Sequence, residues 1–418
     1  QFKLQSPRPR LLEMLAVDLY GAVAREVVEA YGDRIPEHPV GTGPFRLKQW
    51  RRSSLIALER NPDYRERFYD AEPGADDAEG QAWLARFKGR RLPMVDRVEV
   101  SIIEESQPRW LSFLNSQLDF IAVPGEFVHQ AMPKGKVAPN LAKLGVQGYR
   151  SVAADAAYTF FNMENPIVGG YTPDKVALRR AIGLAIDVQR EINLVRRGQA
   201  IAAQAFVLPH TSGYDANFRS ENSEYNPAKA KALLDMYGYL DRDGDGWRDM
   251  PDGKPLVLEI ATQPEALSRQ FDELWRKNME AIGIKVKFFP GKWPEQFKAA
   301  RAGKLMTWTL GTSADVPDGQ RNLARMYGPQ IGSQNYARFK LPAFDALFEK
   351  MSSLPDGPER DALFLQAKRI QVAYMPYKVT VHRFSNDLVQ PWLVGYRRGV
   401  FGNHWWQYVD IDASKRPQ

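Results

Sequence analysis

Ala157-Tyr158-Thr159-Phe160-Phe161-Asn162-Met163 is an aromatic run. It is followed by Pro173-Asp174-Lys175-Val176-Ala177-Leu178-Arg179-Arg180-Ala181-Ile182-Gly183-Leu184-Ala185-Ile186-Asp187. The first stretch is too short and too rich in aromatic residues for a helix and reads as a β-strand. In the second, Pro173 and Asp174 suit the first turn of a helix, and Leu178, Ile182 and Ala185 recur at spacings of four and three along one apolar face. That helix is expected to run to about Val195. Downstream the alternation continues. Asn226-Pro227 supplies a cap and a first-turn proline for a helix with Ala230, Leu233 and Leu234 inward. Leu256, Leu258 and Ile260 alternate as a strand. A helix from about Pro264 to Ala281 stops at Gly283, and Ile284, Val286 and Phe288 begin the next strand. Strand and helix in turn define an α/β architecture.

Upstream, the two glycines and two prolines of His38–Phe45 demand an irregular turn. Phe45, Leu47, Leu55 and Ala57 then fit a β-hairpin. Residues 63–91 are polar and read as a solvated insertion with a short helix near Trp83 and Phe87. Val95, Val98, Val100 and Ile102 resume strand alternation, followed by a helix around Trp110–Leu114 and a short strand at Asp119–Val123. The first thirty residues suggest helical segments around Leu11 and Val27. Phe344–Met351 and Glu359–Ala373 read as helices, and Val379–Trp392 as a closing strand.

The 418 residues allow two to four domains. There is no cysteine, which removes disulfides, thiolate metal sites and cysteine nucleophiles. Lys plus Arg is 57 against 50 acids, but the excess of +7 is spread along the chain rather than gathered in the blocks expected of a nucleic-acid binder. No apolar stretch approaches the roughly 18 residues of a membrane span. Residue 1 is Gln and no signal segment follows, so the chain is expected to be processed or truncated. The sequence has no GxSxG, Walker, GxGxxG or HExxH motif, and His38, His129, His210, His382 and His404 show no metal-ligand spacing.

One local motif stands without any family. Asp241, Asp243 and Asp245 with Gly246, then Trp247, Asp249 and Asp252, place oxygen donors at positions 1, 3, 5, 7, 9 and 12 of a loop. A hard Ca²⁺ ion takes such a set, with glycine at position 6 for the turn. Asp in place of Glu at position 12 and the preceding Pro251 depart from the pattern. The alternative is an Asp/Gly-rich turn between the Leu234 helix and the Leu256 strand.

Several segments, in order, carry a wider resemblance: Val40-Gly41-Thr42-Gly43-Pro44-Phe45; Leu58-Glu59-Arg60-Asn61-Pro62-Asp63-Tyr64; Asp174–Asp187; Tyr225-Asn226-Pro227-Ala228-Lys229-Ala230 with Leu233-Leu234; Asp315-Val316-Pro317-Asp318; Tyr327-Gly328; and Pro342-Ala343-Phe344-Asp345. From about residue 8 to 396 the chain resembles the extracellular solute-binding proteins of the peptide/nickel (oligopeptide/dipeptide-binding) class of ABC importers. The resemblance implies a two-lobed periplasmic-binding-protein, or flytrap, fold. Lobe I would be residues 1–155 and 385–418, and lobe II 156–384. Lobe I would be incomplete, because family members carry an N-terminal portion that precedes the matched pattern. It implies no enzyme activity, but capture of a peptide or similar polar solute by hinge closure and delivery to a membrane ABC permease. It implies a monomer in the periplasm or at the cell surface, no nucleic-acid partner, and no required cofactor beyond a possible structural Ca²⁺.

The resemblance also assigns site residues. Asp315 stands where peptide receptors place an acid against the ligand's α-ammonium, although the usual Trp three residues earlier is here Thr312. Trp293 matches a pocket-lining Trp and Arg301 a cleft Arg for a ligand carboxylate. Tyr158 and Phe160 would lie on the first crossover strand, and His382 and Arg383 on the second. The plainer readings are a turn for Asp315, packing for Trp293 and a surface charge for Arg301. Trp392, Trp405 and Trp406 are expected to pack the lobe rather than grip a sugar. A hydrolase using Asp315 and Asp318 as an acid–base pair is the alternative function. A calcium-stabilised adhesion module would show repeats, and none is present.

Overall fold

The computed structural model describes residues 3, 4, 7–17, 20–402 and 405–417, so His404 lies outside the described residues. The chain divides into two compact units: one of residues up to Ala16 together with Val152–Phe384, the other of Val17–Ser151 with Ser385–Gln418. They are called the central and the flanking unit below.

In the flanking unit, strands β1 (Phe45–Arg51), β2 (Leu55–Arg60) and β3 (Arg97–Ser101) form an antiparallel sheet. The β1–β2 hairpin turns at Arg52–Ser54, with Ser53 at φ 55°. The stretch 63–91 is less solvated than its composition suggests. Its helix, Ala78–Phe87, is capped by Asp77, which accepts the Gly80 N–H, and it buries Phe87 completely against Leu92, Met94 and Val394. Strand β4 (Phe120–Ala122) and the helix Ser106–Leu114 pack Ile121, Trp110 and Phe113 with Leu388. Strand β5 spans Gln147–Val152. Trp392 is buried, with its indole N–H on Asp119, and Trp405 packs against Phe120 and Tyr396.

The central unit is built on β6 (Asp155–Phe161), β7 (Ala200–Ala202), β8 (Val257–Thr262), β9 (Lys285–Pro290), β10 (Thr307–Ser313) and β11 (Tyr377–Val389). The sheet order is β11-β6-β10-β8-β9, with β7 on β11. Strands β8, β9 and β10 are parallel, and β6 is antiparallel to β10 and β11. Every residue of β6 is buried, as a strand covered on both faces must be. Its Ala157 and Phe161 join Leu178, Ile182 and Ile260 on one side, and Tyr158 and Phe160 join Phe206, Trp308 and Tyr377 on the other. Beyond Phe384, β11 runs on into the flanking unit, where Asp387–Val389 pair with β4.

Three expectations differ from what the structure places. The helix opened by Pro173 ends at Ala185 rather than near Val195. Ile186 turns extended, and the Asp187 side chain caps a new short helix by accepting the Arg190 N–H. Asp offers the backbone this alternative to a continued helix. The N-terminal segment, expected in lobe I, belongs to the central unit. Arg10 reaches Asp318 (2.9 Å) and donates to the carbonyls of Met351 and Leu354 at the end of the helix Pro342–Ser353. The units meet along the chain at 16/17, 151/152 and 384/385 rather than at 155/156. No helix among the described residues is long and apolar enough to cross a membrane.

Candidate functional site

In open sheets with parallel strands, ligands collect beyond the carboxyl ends of the strands. In the central unit β10 overshoots its parallel neighbour. Its pairing with β8 covers Thr307 and Trp308, whereas its antiparallel pairing with β6 continues to Ser313 opposite Asp155. The Ala314 N–H donates to the Ala154 carbonyl at 2.7 Å. By the two-residue period of a strand, Thr312 and Leu310 also turn their main chain toward β6. Gly311 and Ser313, both exposed, therefore turn their N–H and C=O groups to the opposite edge, which no described strand covers.

Asp315 follows this open edge. Its side chain is 42% exposed and bonds Arg321 Nη2 at 3.0 Å. A small polar cavity of about 180 Å³ lies here, lined by Ser313, Asp315, Arg321, Asn322, Arg325 and Gln334 among others. Arg325 donates to Thr312 Oγ1 at 2.6 Å, and its guanidinium lies 5.9 Å over the Tyr158 ring. Arg321 Nη1 and Arg325 Nε are both buried without a hydrogen-bond partner. Buried guanidinium N–H groups left open are costly, and an acceptor on a ligand would satisfy them.

Tyr158, Thr312 and Asp315 thus come together around Arg325, a residue the sequence reading passed over along with Arg321. The other expected residues lie elsewhere. Phe160 pairs opposite Trp308 in the core. Trp293 is exposed, stacked on Phe297 at 4.8 Å and 6.3 Å from Trp308. Trp308 stands five positions before Ser313 along β10, roughly 17 Å at the usual rise of a strand. Arg301 Nε donates to the Gly332 carbonyl at 3.0 Å. Arg383 is held at 2.6 Å by buried Asp155, and its Nη2 lies 3.6 Å from where a Cβ on Gly311 would stand. His382 is buried and lines a different cavity. Asp318, the other acid of the alternative hydrolase, is committed to Arg10 and Arg360 and forms no pair with Asp315.

In the acidic loop, Asp241, Asp243 and Asp245 bring carboxylate oxygens within 4.8 Å of one another at the surface. Each is engaged by the loop's own backbone: Asp241 accepts the N–H of Gly244 (2.8 Å) and Gly246 (3.0 Å), Asp243 that of Asp245, and Asp245 that of Trp247. Gly246 takes φ 88°, which a glycine allows without strain. Asp249 turns inward and accepts the Arg242 N–H, and Asp252 pairs with Lys254 Nζ at 2.7 Å. The donors expected at positions 9 and 12 are therefore not gathered with the first three. A turn closed by its own hydrogen bonds keeps its shape without an ion. Thermal unfolding in EGTA and in millimolar calcium is expected to give the same midpoint. A rise with calcium that Asp243→Asn abolishes would assign an ion to this loop.

An open strand edge and convergent charges at the sheet's carboxyl end mark a place where a ligand could be held. Bacterial extracellular solute-binding proteins, family 5 (middle region), match residues 1–334, and the chain belongs to this family. It is 26% identical over 384 residues to the heme-binding protein A of Haemophilus influenzae, covering 91% of this chain and 61% of that protein. It is 23% identical over 421 residues to the dipeptide-binding protein of Escherichia coli, covering 99% and 70%. The chain thus spans about 61–70% of the length of these relatives. Its fold matches the ABC transporter-associated periplasmic binding protein DppA of Helicobacter pylori, solved in complex with the peptide STSA. The TM-score is 0.74 at 23% identity, over 98% of this chain and 72% of that one.

Proposed function

We propose that the chain is a receptor that captures a peptide or peptide-like solute outside the cytoplasm and delivers it to an ABC permease, without chemical change to the solute. The observation that carries this reading is the open edge of β10 ending at Asp315. An extended peptide adds to such an edge through main-chain hydrogen bonds to Gly311 and Ser313. Its ammonium falls to Asp315, which is half open and held in place by Arg321. A ligand carbonyl or carboxylate takes the unpartnered N–H groups of Arg321 and Arg325. The dipeptide- and peptide-bound relatives support the same class of ligand. The commitment of Asp318 to two arginines argues against acid–base catalysis at this site.

Calorimetry with trialanine and N-acetyl-trialanine tests the reading. The free peptide is expected to bind, and both acetylation and Asp315→Asn are expected to weaken binding at least about tenfold through loss of one charge-assisted contact. Equal binding of both peptides to both chains would remove Asp315 from the site. The absence of binding across a panel of short peptides would overturn the peptide class.

A further inference from the structure

A second cavity of the central unit shares no residue with the β10 edge. It has a volume of about 330 Å³ and is lined by the loop after β7, the turn at 214–219, the helix Pro358–Tyr374 and β11. Lys368 and His382 form part of its buried wall, at 5% and 1% exposure.

The Lys368 ammonium donates to the Gly213 carbonyl at 3.1 Å and stands 4.5 Å over the Phe218 ring. It makes no salt bridge to a described residue, although burial holds its pKa down and so opposes its charge. Asp215 and Asp361 act on it only from beyond salt-bridge distance. A buried ammonium with N–H groups to spare and no carboxylate in contact is costly, and an anion in the adjoining cavity would relieve it. Gln204 stands beside it. Its Oε1 accepts from the Ser220 N–H and Ser223 Oγ, which fixes the amide and leaves its NH₂ for the cavity.

The acceptors are of a different kind. His382 Nδ1 lies 2.6 Å from the Asp155 carbonyl, which only accepts, so Nδ1 carries the proton. Burial holds the ring neutral, and Nε2 is left with a lone pair. The Tyr214 ring stands edge-on to the imidazole at 5.9 Å and lines the same cavity. Asp215, exposed at the rim, adds a carboxylate. One cavity thus pairs cationic and amide donors with an imidazole and a carboxylate acceptor.

We propose that this cavity binds a free α-amino acid, its carboxylate on Lys368 and Gln204 and its ammonium on His382 Nε2 and Asp215. The proposal is independent of the peptide reading, because the two sites have no residue in common.

Calorimetry on the full chain with glycine, L-alanine, L-serine and L-glutamate, beside L-lactate and acetate, is the test. At least one amino acid is expected to bind with one-to-one stoichiometry. The matching hydroxy acid and acetate are expected to bind at least about tenfold more weakly. Lys368→Met and His382→Phe are each expected to weaken the amino acid by a similar factor, while Asp315→Asn leaves it unchanged. Should either buried variant fail to fold, Gln204→Met and Asp215→Asn, nearer the surface, take their place with the same expectation. No binding by the native chain, or binding undiminished in the cavity variants, overturns the site. Lactate binding as tightly as alanine overturns the ammonium half of the assignment.

Discussion

Asp318→Ala is expected to cost about 3–5 kcal/mol of folding stability, the usual consequence of removing one partner from a buried ion network. Asp318 holds Arg10 Nε at 2.9 Å on one oxygen and Arg360 Nη2 at 2.7 Å on the other, and it also accepts from Ser212 Oγ and the Gln320 N–H. Arg360 is 1% exposed and Arg10 10%, so alanine would leave two guanidinium groups, in a place water scarcely reaches, with Asp356 as their one shared carboxylate among the described residues. That carboxylate lies 2.6 Å from Arg360 and 3.6 Å from Arg10, but it is 66% exposed, so water weakens its hold on both. The same arginines hold the Met351 carbonyl, so the end of the helix Pro342–Ser353 should loosen too. Urea unfolding followed by circular dichroism would measure the change. The control is Asp315→Ala, which breaks one half-exposed pair and should cost no more than about 1 kcal/mol. Equal losses in the two variants would show that the network adds nothing.

The second large effect is one of pH. Lys378, on β11, is wholly buried and donates to the carbonyls of Gly183 (2.8 Å) and Asn222. Burial pushes its pKa down to about 7, against the pull of Glu191, Glu221 and Glu224. In the unfolded chain the ammonium titrates near 10.4. Between these values the unfolded chain holds the extra proton, so stability contributed by this group rises with pH from about 7 toward 10. Below pH 7 both states are protonated, and the cost of burying the charge is present in full. The gain is about 1 kcal/mol per pH unit through the window. Lys378→Met removes this dependence. It also leaves two carbonyls without their donor, a loss that does not vary with pH. The stability of the native chain minus that of the variant should therefore climb from pH 7 to 10. Raised tyrosine pKa values at Tyr158 and Tyr377 act in both proteins and cancel in the difference. A difference that stays flat with pH would refute the assignment.

How much of this was legible in the sequence depends on how local each cause is. The strand–helix alternation from Tyr158 to Phe288 was readable because burial imposes its period on the residues themselves. The Asn226 cap was readable because the side chain bonds its own helix, at the Lys229 N–H. The break at Ile186–Asp187 has the same local cause, but the apolar face runs through it unbroken, and periodicity hides a cap. The docking of the N-terminal segment was not readable at all: Arg10 finds Asp318, Met351 and Leu354, and nothing near residue 10 encodes those partners. At the candidate site, Asp315 was found through resemblance. Arg321 and Arg325 were missed although their spacing of four puts them on one helical side just after the acid. Tyr158 and Phe160 point to the same face of β6 and were expected together, yet the neighbouring strand stretches them over different partners, Leu310 for one and Trp308 for the other.

Strand β11 also fixes an order of events during synthesis. The flanking unit is discontinuous: β4 is made early, while its partner residues Asp387–Val389 are made only after the whole central unit. Until they emerge, the Phe120–Ala122 edge stands unpaired on the nascent chain and the cluster of Trp110, Phe113 and Ile121 lacks Leu388. Such an exposed edge is what a holding chaperone recognises, and what invites aggregation when the chaperone is scarce. The central unit waits on the same strand, because β6 and β7 pair with Tyr377–Arg383 of β11, so on the ribosome both units should reach protease resistance only once β11 has emerged.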